Sequence, residues 1–513
     1  MTEMKKIAIY FMMGISLLFL GGCDKFSLDL APESSVADGN FWKTPEQFES
    51  FIAGLHSRMR TYEMNLMVMG ELRSDVFGDS PFSGEATQGW ERYWYNTLNS
   101  ENTGISNYGA IYNEINQLNL MIYKTLPVTT LTEANKNYYL GQAYGMRAFC
   151  YFHLLRTWGD VVVTTEPSIT FDLNNIAKAA SPADEVMDQI KSDIEESENY
   201  FGTNYSFKYN DKAFWSKAAT LMLKAEVYLW SSRQMAGGTS DAGIAKTALT
   251  DIQTNITTLG LMTNFKDVFT SSSNSASKNN KELIFVLRNA LLEYNMGGGN
   301  YASTFLPQSN LIGSYYDSIS ASPLSSAVEN YSGGLLRAPV KKTTFWKFHN
   351  QDTRKLASIK GAYNFSGGVY TLAGCYLYKF PGVMDAGSKK IADDYIVYRY
   401  ADLLLMLAEA KSLLGEDPST EINLVRARAY GSNYSLATWG YPNQSVDVDV
   451  NQAILKERFY EFIGEGKRWY DLRRFGESYV MANTTVTQSY QLLWPIDKTT
   501  LTDNKLLHQT TGY

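Results

Sequence analysis

The sequence predicts a mostly α-helical fold of tetratricopeptide-like (TPR-like) helical pairs, which support an irregular, loop-rich half bearing the ligand site. Three observations predict it. Apolar residues recur at steps of three and four through many separate stretches. Alanines sit where paired helices of this length would cross, and small residues let helices approach closely. Two long segments rich in Gly, Asn, Ser and aromatic residues interrupt the helical period. The strongest helix signal is Ala143 to Asp160. Leu140, Tyr144, Arg147, Tyr151, Leu154 and Trp158 share one face, while Phe149, Phe152 and Leu155 cover much of the remaining circumference. A helix apolar nearly all round must be enclosed by others. Gly159 stops it, and Val161 to Val163 read as a short extended exit.

In chain order, Lys5 and Lys6 precede an apolar run from Ile7 to Leu20, followed by Leu20-Gly21-Gly22-Cys23. The run is about 14 residues, short of the roughly 20 that span a bilayer, so residues 1–22 read as a lipoprotein signal peptide with Cys23 as the lipidated mature N-terminus. A tether follows to about residue 40. Residues 23–260 form an N-terminal helical region. Thr44-Pro45-Glu46 opens its first helix, with Phe48, Ile52, Leu55 and Met59 inward. The period then fails across an aromatic loop at 65–103 and returns at Tyr108 to Tyr123. After the central helix come Ser181 to about Tyr200, Ala213 to Ser231 and about Asp241 to Thr257.

Residues 261–513 form a C-terminal region whose first part, 262–394, is variable and irregular. It carries strand candidates at Glu282 to Leu287 and Tyr376 to Phe380, and an expected flexible turn at Gly297 to Gly299. Helical pattern resumes over 395–475, at Tyr398 to Leu414, Glu421 to Tyr430, Asn451 to Ile463 and Arg468 to Phe475. The tail at 492–497 reads as an extended segment docked on the body.

Composition narrows the function. The chain has 44% hydrophobic and 19% charged residues and a net charge of −7, without long single-sign runs, so no basic surface invites nucleic acid. Aromatics make up 14%, more than packing requires, and an aromatic face with polar groups at its rim suits sugar rings. Arg73, Asp75, Trp90, Tyr93, Trp94 and Asn96 offer that mixture in one segment. Tyr315, Tyr316 and Trp346 are their expected partners from the other irregular region. Catalysis has weaker support. Glu457, Glu461, Glu465 and Asp471 lie among Arg458 and Arg468, which would pair with them and keep them ionised, whereas a general acid needs a raised pKa. His56, His153, His349 and His508 show no metal spacing, so no metal or cofactor is expected. Cys150 and Cys375 are expected to be buried free thiols.

The segment R-A-F-C-Y-F-H-L-L-R-T-W-G-D at 147–160 resembles a motif of the SusD/RagB family of nutrient-capturing surface lipoproteins. So do N-F-W-K-T-P-E-Q-F at 40–48 and, most specifically, K-E-R-F-Y-E-F-I-G-E-G-K-R-W-Y-D-L-R-R-F at 456–475. The resemblance implies four TPR-like helical pairs, an outer-membrane position through the lipid anchor, and a TonB-dependent barrel transporter as partner. It carries no ligand residue over, because the family's ligand residues form no fixed motif. The expected function is non-enzymatic capture of an oligosaccharide and its delivery to that transporter. A peptide-binding member of the same family, a surface glycoside hydrolase and a TPR scaffold without a ligand are the rivals. The N-terminal reading makes the first prediction: a metabolic lipid precursor labels the wild-type chain in cells and leaves Cys23→Ala unlabelled. An unlabelled wild type would remove the anchor.

Overall fold

The computed structural model describes residues 41–80, 82, 84–104, 108–169, 177–269, 278–324 and 329–513. Cys23, the signal sequence and the tether lie outside the described residues. The central helix is Glu133–Trp158. The Thr132 side chain accepts the Asn135 N–H at its start, and Gly159 ends it at a φ of +77° that disfavours a side chain. Every residue from Tyr139 to Trp158 except Tyr144 is buried, as an apolar circumference demands. Gly141 and Gly145, one turn apart, let helix Ala183–Phe201 close in. A Cβ at Gly145 would stand 2.2 Å from Trp215 Nε1, and the Ser197 hydroxyl donates to the Gly141 carbonyl at 2.6 Å. Arg147 and Asp193 join the same two helices through a buried ion pair at 2.6 Å.

The helices pack as pairs. Glu133–Trp158 lies on Ala183–Phe201, Lys217–Gln234 on Gly238–Asn255, Tyr400–Leu413 on Ser419–Tyr430, and Val450–Phe462 on Arg468–Phe475. Pro45–Met59 and Ala110–Thr125 pack together against the central helix. A fully buried antiparallel pair, Leu283–Leu287 with Tyr395–Arg399, delivers the chain into Tyr400–Leu413. The irregular half holds a four-stranded sheet in the order Ser322–Pro323, Tyr316–Asp317, Ile359–Ser366, Val369–Leu377.

Three local features depart from the sequence reading. Glu63–Glu71 is a helix, although the period breaks at Asn65. Every residue of it except Asn65 is buried, so it has no polar face to mark a period. Gly70 there abuts Gly466 so closely that a Cβ would lie 1.7 Å from the Gly466 carbonyl oxygen. Second, of the expected strand at Tyr376 to Phe380 only Tyr376 and Leu377 are strand, the end of Val369–Leu377, which turns back on Ile359–Ser366 through Gly367 and Gly368 at positive φ; Tyr378 to Phe380 lie beyond it. Third, the turn at Gly297 to Gly299 is anchored: the Gly297 N–H donates to the buried Glu63 carboxylate at 2.8 Å.

Charge is buried with the apolar core. Glu461 accepts from Arg399 at 2.6 Å and from Arg354 at 3.3 Å, and Arg428 also donates to it. Arg399 continues to Glu282 and Glu465, both at 2.8 Å, and Lys379 reaches Glu465 at 2.6 Å. A neighbouring set joins Arg458 to Asp402 and Asp471, both at 2.8 Å, and Arg474 to Glu409 at 3.0 Å. Burial alone would raise Glu461, but Arg428, Arg399 and Arg354 hold it well below the usual carboxylate range.

Glu114 is the contrasting case. It is buried on Ala110–Thr125, neither carboxylate oxygen has a hydrogen-bond partner, and Arg58 Nε is 3.7 Å away. Burial pushes its pKa from 4.5 up to about 8. With the folded value raised, the stability this group contributes is fully present below about pH 4.5 and lost as pH rises through about 8. Glu114→Gln keeps the shape of the protonated acid without that loss. Its stability advantage over wild type should therefore grow by about 2 kcal/mol or more between pH 5 and 8.5 in urea unfolding. An advantage independent of pH would mean the carboxylate is solvated.

Candidate functional site

The two irregular segments meet. Phe77 bridges Val340, the Gly78 N–H donates to the Pro339 carbonyl at 3.1 Å, and the Lys341 N–H donates to the Val76 carbonyl at 3.0 Å. Asp79 accepts the Lys342 N–H at 2.6 Å, Glu85 accepts the Gln308 N–H at 2.7 Å, and the Phe82 and Tyr315 rings lie 4.8 Å apart.

Six of the nine residues expected to face a ligand are nevertheless buried, each with an internal partner. Arg73 lies over the rings of Trp469 and Trp494, and donates to Asn96 Oδ1 and the Leu493 carbonyl, both at 2.8 Å. Asp75 pairs with Arg468 at 2.8 Å and Lys347 at 2.9 Å. Although burial opposes it, these two cations hold its carboxyl below the usual range. Tyr93 packs 5.8 Å from Trp494, Trp94 lies under Gly78, Asn96 also donates to Thr485, and Tyr315 covers Phe82. Arg73, Asp75, Tyr93 and Asn96 thus join the first loop to the C-terminal scaffold, Trp94 packs within that loop, and Tyr315 joins the two irregular segments. Trp90 and Tyr316 are half-buried, and Trp346 is 57% exposed.

What remains accessible is an aromatic surface that the sequence reading saw only in part. Register places Tyr316 opposite Tyr363, and Phe365 opposite Tyr370, on the four-stranded sheet. With side chains alternating along a strand, Tyr316, Tyr363, Phe365 and Tyr370 share one face. Their rings support one another, with centroids 5.4 Å apart for Tyr316 and Phe365 and 4.6 Å for Phe365 and Tyr370. Phe365 is 44% exposed. The signal for these residues was the alternation Tyr363, Phe365 before Gly367-Gly368 and Tyr370. Helix Lys342–Lys347, which carries Trp346, packs against strand Val369–Leu377, so both sets of rings belong to neighbouring elements. Tyr95, 55% exposed, is a further ring on the first loop.

The suspected acid cluster is wired to arginine. Glu457 pairs with Arg354 at 3.0 Å and Arg426 at 2.9 Å, and Glu465 is held low by Arg399 and Lys379 against the effect of burial. His56 is buried and neutral: it accepts the Trp215 N–H, and burial lowers its pKa to about 4. Burial likewise lowers His153 to about 3, while the His349 ring lies 4.7 Å from that of Trp439, tilted at 55°. Cys150 and Cys375 are free and buried. Among the described residues, no group of His, Cys, Asp or Glu is arranged to hold a metal ion, and no helix is long and apolar enough to cross a membrane. A cleft of about 950 Å³ lies between Phe265, Phe269, Leu356 and Tyr378. The arrangement can hold an amphipathic ligand on aromatic faces. Within the acid cluster, Glu461 and Glu465 are held low by cations and shielded from solvent, the opposite of what a general acid needs.

Comparison with known proteins gives matches along most of the chain. Residues 281–491 match the profile described as the SusD family, and residues 27–229 match one described as starch-binding, associating with outer membrane. Among solved structures, NanU of B. fragilis is 48% identical, with a TM-score of 0.87 over 94% of this chain and 99% of its own. A SusD superfamily protein from Bacteroides vulgatus is 47% identical, with a TM-score of 0.85 over 92% and 100%. At 20% identity the fold is also shared with surface glycan-binding protein A of Bacteroides thetaiotaomicron in complex with laminarihexaose, with a TM-score of 0.70 over 91% and 100%.

The position of Asp75 yields a prediction. Arg468→Ala removes the guanidinium that neutralises a buried carboxylate and should destabilise the protein by about 3 kcal/mol or more in chemical denaturation. Ligand affinity of the folded fraction should change little. A stable variant that had lost binding would make Arg468 part of the site.

Proposed function

This chain belongs to the SusD/RagB family, and from that membership we propose that it is a non-catalytic, cell-surface glycan-binding lipoprotein. In this reading it captures an oligosaccharide on Trp346 and the Tyr316, Phe365 and Tyr370 face, with Trp90 at the margin. It then passes the oligosaccharide to a TonB-dependent barrel transporter in the outer membrane. Cys23 would carry the lipid anchor, and the irregular segments of both halves would form the ligand-facing surface.

One observation carries the proposal: Phe365 stands exposed on the sheet, braced by the half-buried Tyr316 and Tyr370, and Trp346 stands exposed on an adjoining helix. A sugar ring offers a flat patch of C–H groups with hydroxyls at its rim, which stacks on such rings while its hydroxyls stay hydrated or find polar neighbours. Preset rings lose little freedom on binding, which favours affinity without a deep pocket. The family profile described as starch-binding, and the neighbour solved with laminarihexaose, support a saccharide as the ligand class.

The test is an oligosaccharide and peptide array followed by calorimetry. Trp346→Ala, and separately Phe365→Ala, should each weaken the confirmed glycan by about 1.5 kcal/mol, roughly tenfold, with melting unchanged. Released product after long incubation would overturn the non-catalytic reading. Binding of peptides alone would change the ligand class. Wild-type affinity in both variants would move the site elsewhere.

A further inference from the structure

Lys355 is 3% exposed, yet among the described residues it pairs with no carboxylate. Its ammonium donates to Asn350 Oδ1 at 2.8 Å and lies 4.5 Å from the Phe345 ring centroid and 4.9 Å from that of Trp346. An ammonium taken out of water without an anion is costly, and the negative faces of two aromatic rings are the compensation here. Phe345 also meets Trp346 edge-on, with centroids 5.1 Å apart and planes at 71°. Trp346 is therefore an exposed ring held from behind at two points.

The anchor continues inward. The residue before Lys355 is Arg354, fully buried and bonded to Asp352 at 2.7 Å and Glu457 at 3.0 Å. Both residues belong to the short helix Arg354–Ser358, so the backbone that presents Lys355 is fixed by the ionic core.

We infer that Lys355 is a positioning residue, which clamps Trp346 in one orientation so that a single ring face is turned outward for the ligand. This rests on the glycan-binding reading for its consequence in affinity, though not for the clamp itself. A solvent-exposed tryptophan normally samples several rotamers, and each must be given up when a ligand stacks. The ammonium suppresses them beforehand, and its place on one side of the ring leaves the other side for the C–H face of a sugar.

The experiment uses the mature chain labelled with 5-fluorotryptophan. The chain has ten tryptophans, and the Trp346 fluorine resonance is assigned by its loss in Trp346→Phe. Lys355→Met keeps the apolar stem and removes the charge. It should shift and broaden the Trp346 resonance and weaken the confirmed glycan about five- to thirtyfold, and Lys355→Arg should restore both. A Trp346 resonance unchanged in Lys355→Met overturns the clamp. A mobile Trp346 that binds the glycan as tightly as wild type overturns its role in binding. If Trp346→Ala itself binds normally, the glycan site is wrongly placed, and the fluorine spectrum still decides the clamp. Should Lys355→Met not fold, Asn350→Ala, which frees the ammonium, is judged by the same two readouts.

Discussion

Glu461 is the point on which the C-terminal architecture converges. Its carboxylate accepts from Arg354, Arg399 and Arg428, which belong to a short helix, the end of a buried strand and a helix of the third pair. Hydrophobic burial would bring these elements together in many arrangements, since apolar contact has no direction. A carboxylate that must meet three guanidinium groups admits far fewer. Buried pairs of this kind contribute little net stability over a well-packed apolar substitute, but leaving one partner alone is severely unfavourable. In this fold the network discriminates among packings more than it strengthens any one of them.

The same device reaches the loops. Asp75 and Arg73 leave the first irregular segment and fasten it to Arg468 and to the carbonyls of the C-terminal tail. Lys347 closes on Asp75 from the second segment. A loop half assembled in this way has few free joints, although most of it lacks regular secondary structure. Rigidity there matters because a shallow aromatic surface has little enclosed contact with which to offset the ordering of its own side chains.

Helices with a clear apolar stripe and a capping signal were legible in the sequence. Pro45–Met59, Arg468–Phe475 and the all-round apolar central helix follow from spacing, caps and glycine stops. Glu63–Glu71 was not legible, since a segment buried on nearly every side has no contrast between faces. The binding surface was legible only as a composition. Tyr93 and Trp346 are equally aromatic and equally surrounded by polar neighbours. One is buried because Trp494 and the tail lie over it, and the other is exposed because nothing comparable covers it. That distinction is made by residues hundreds of positions away, where no local pattern records it. The acid-rich closing block was readable as structural, but its partners were not: Arg458 meets only Asp471 of the block's four acids and Arg468 goes to Asp75, while Glu457, Glu461 and Glu465 take arginines and a lysine from other elements.

The central helix is closed by the last part of the chain. The Thr157 carbonyl accepts the Trp494 N–H at 2.8 Å, the Thr157 hydroxyl meets Tyr470 at 3.0 Å, and Trp158 Nε1 donates to the Pro495 carbonyl across 337 positions at 3.4 Å. Synthesis runs from the N-terminus, so the central helix is made long before the residues that seal it. Until the final segment emerges, its exit lacks hydrogen-bond partners, and contacts this distant in sequence form slowly. A nascent chain of this design has its native state completed only at the end of translation.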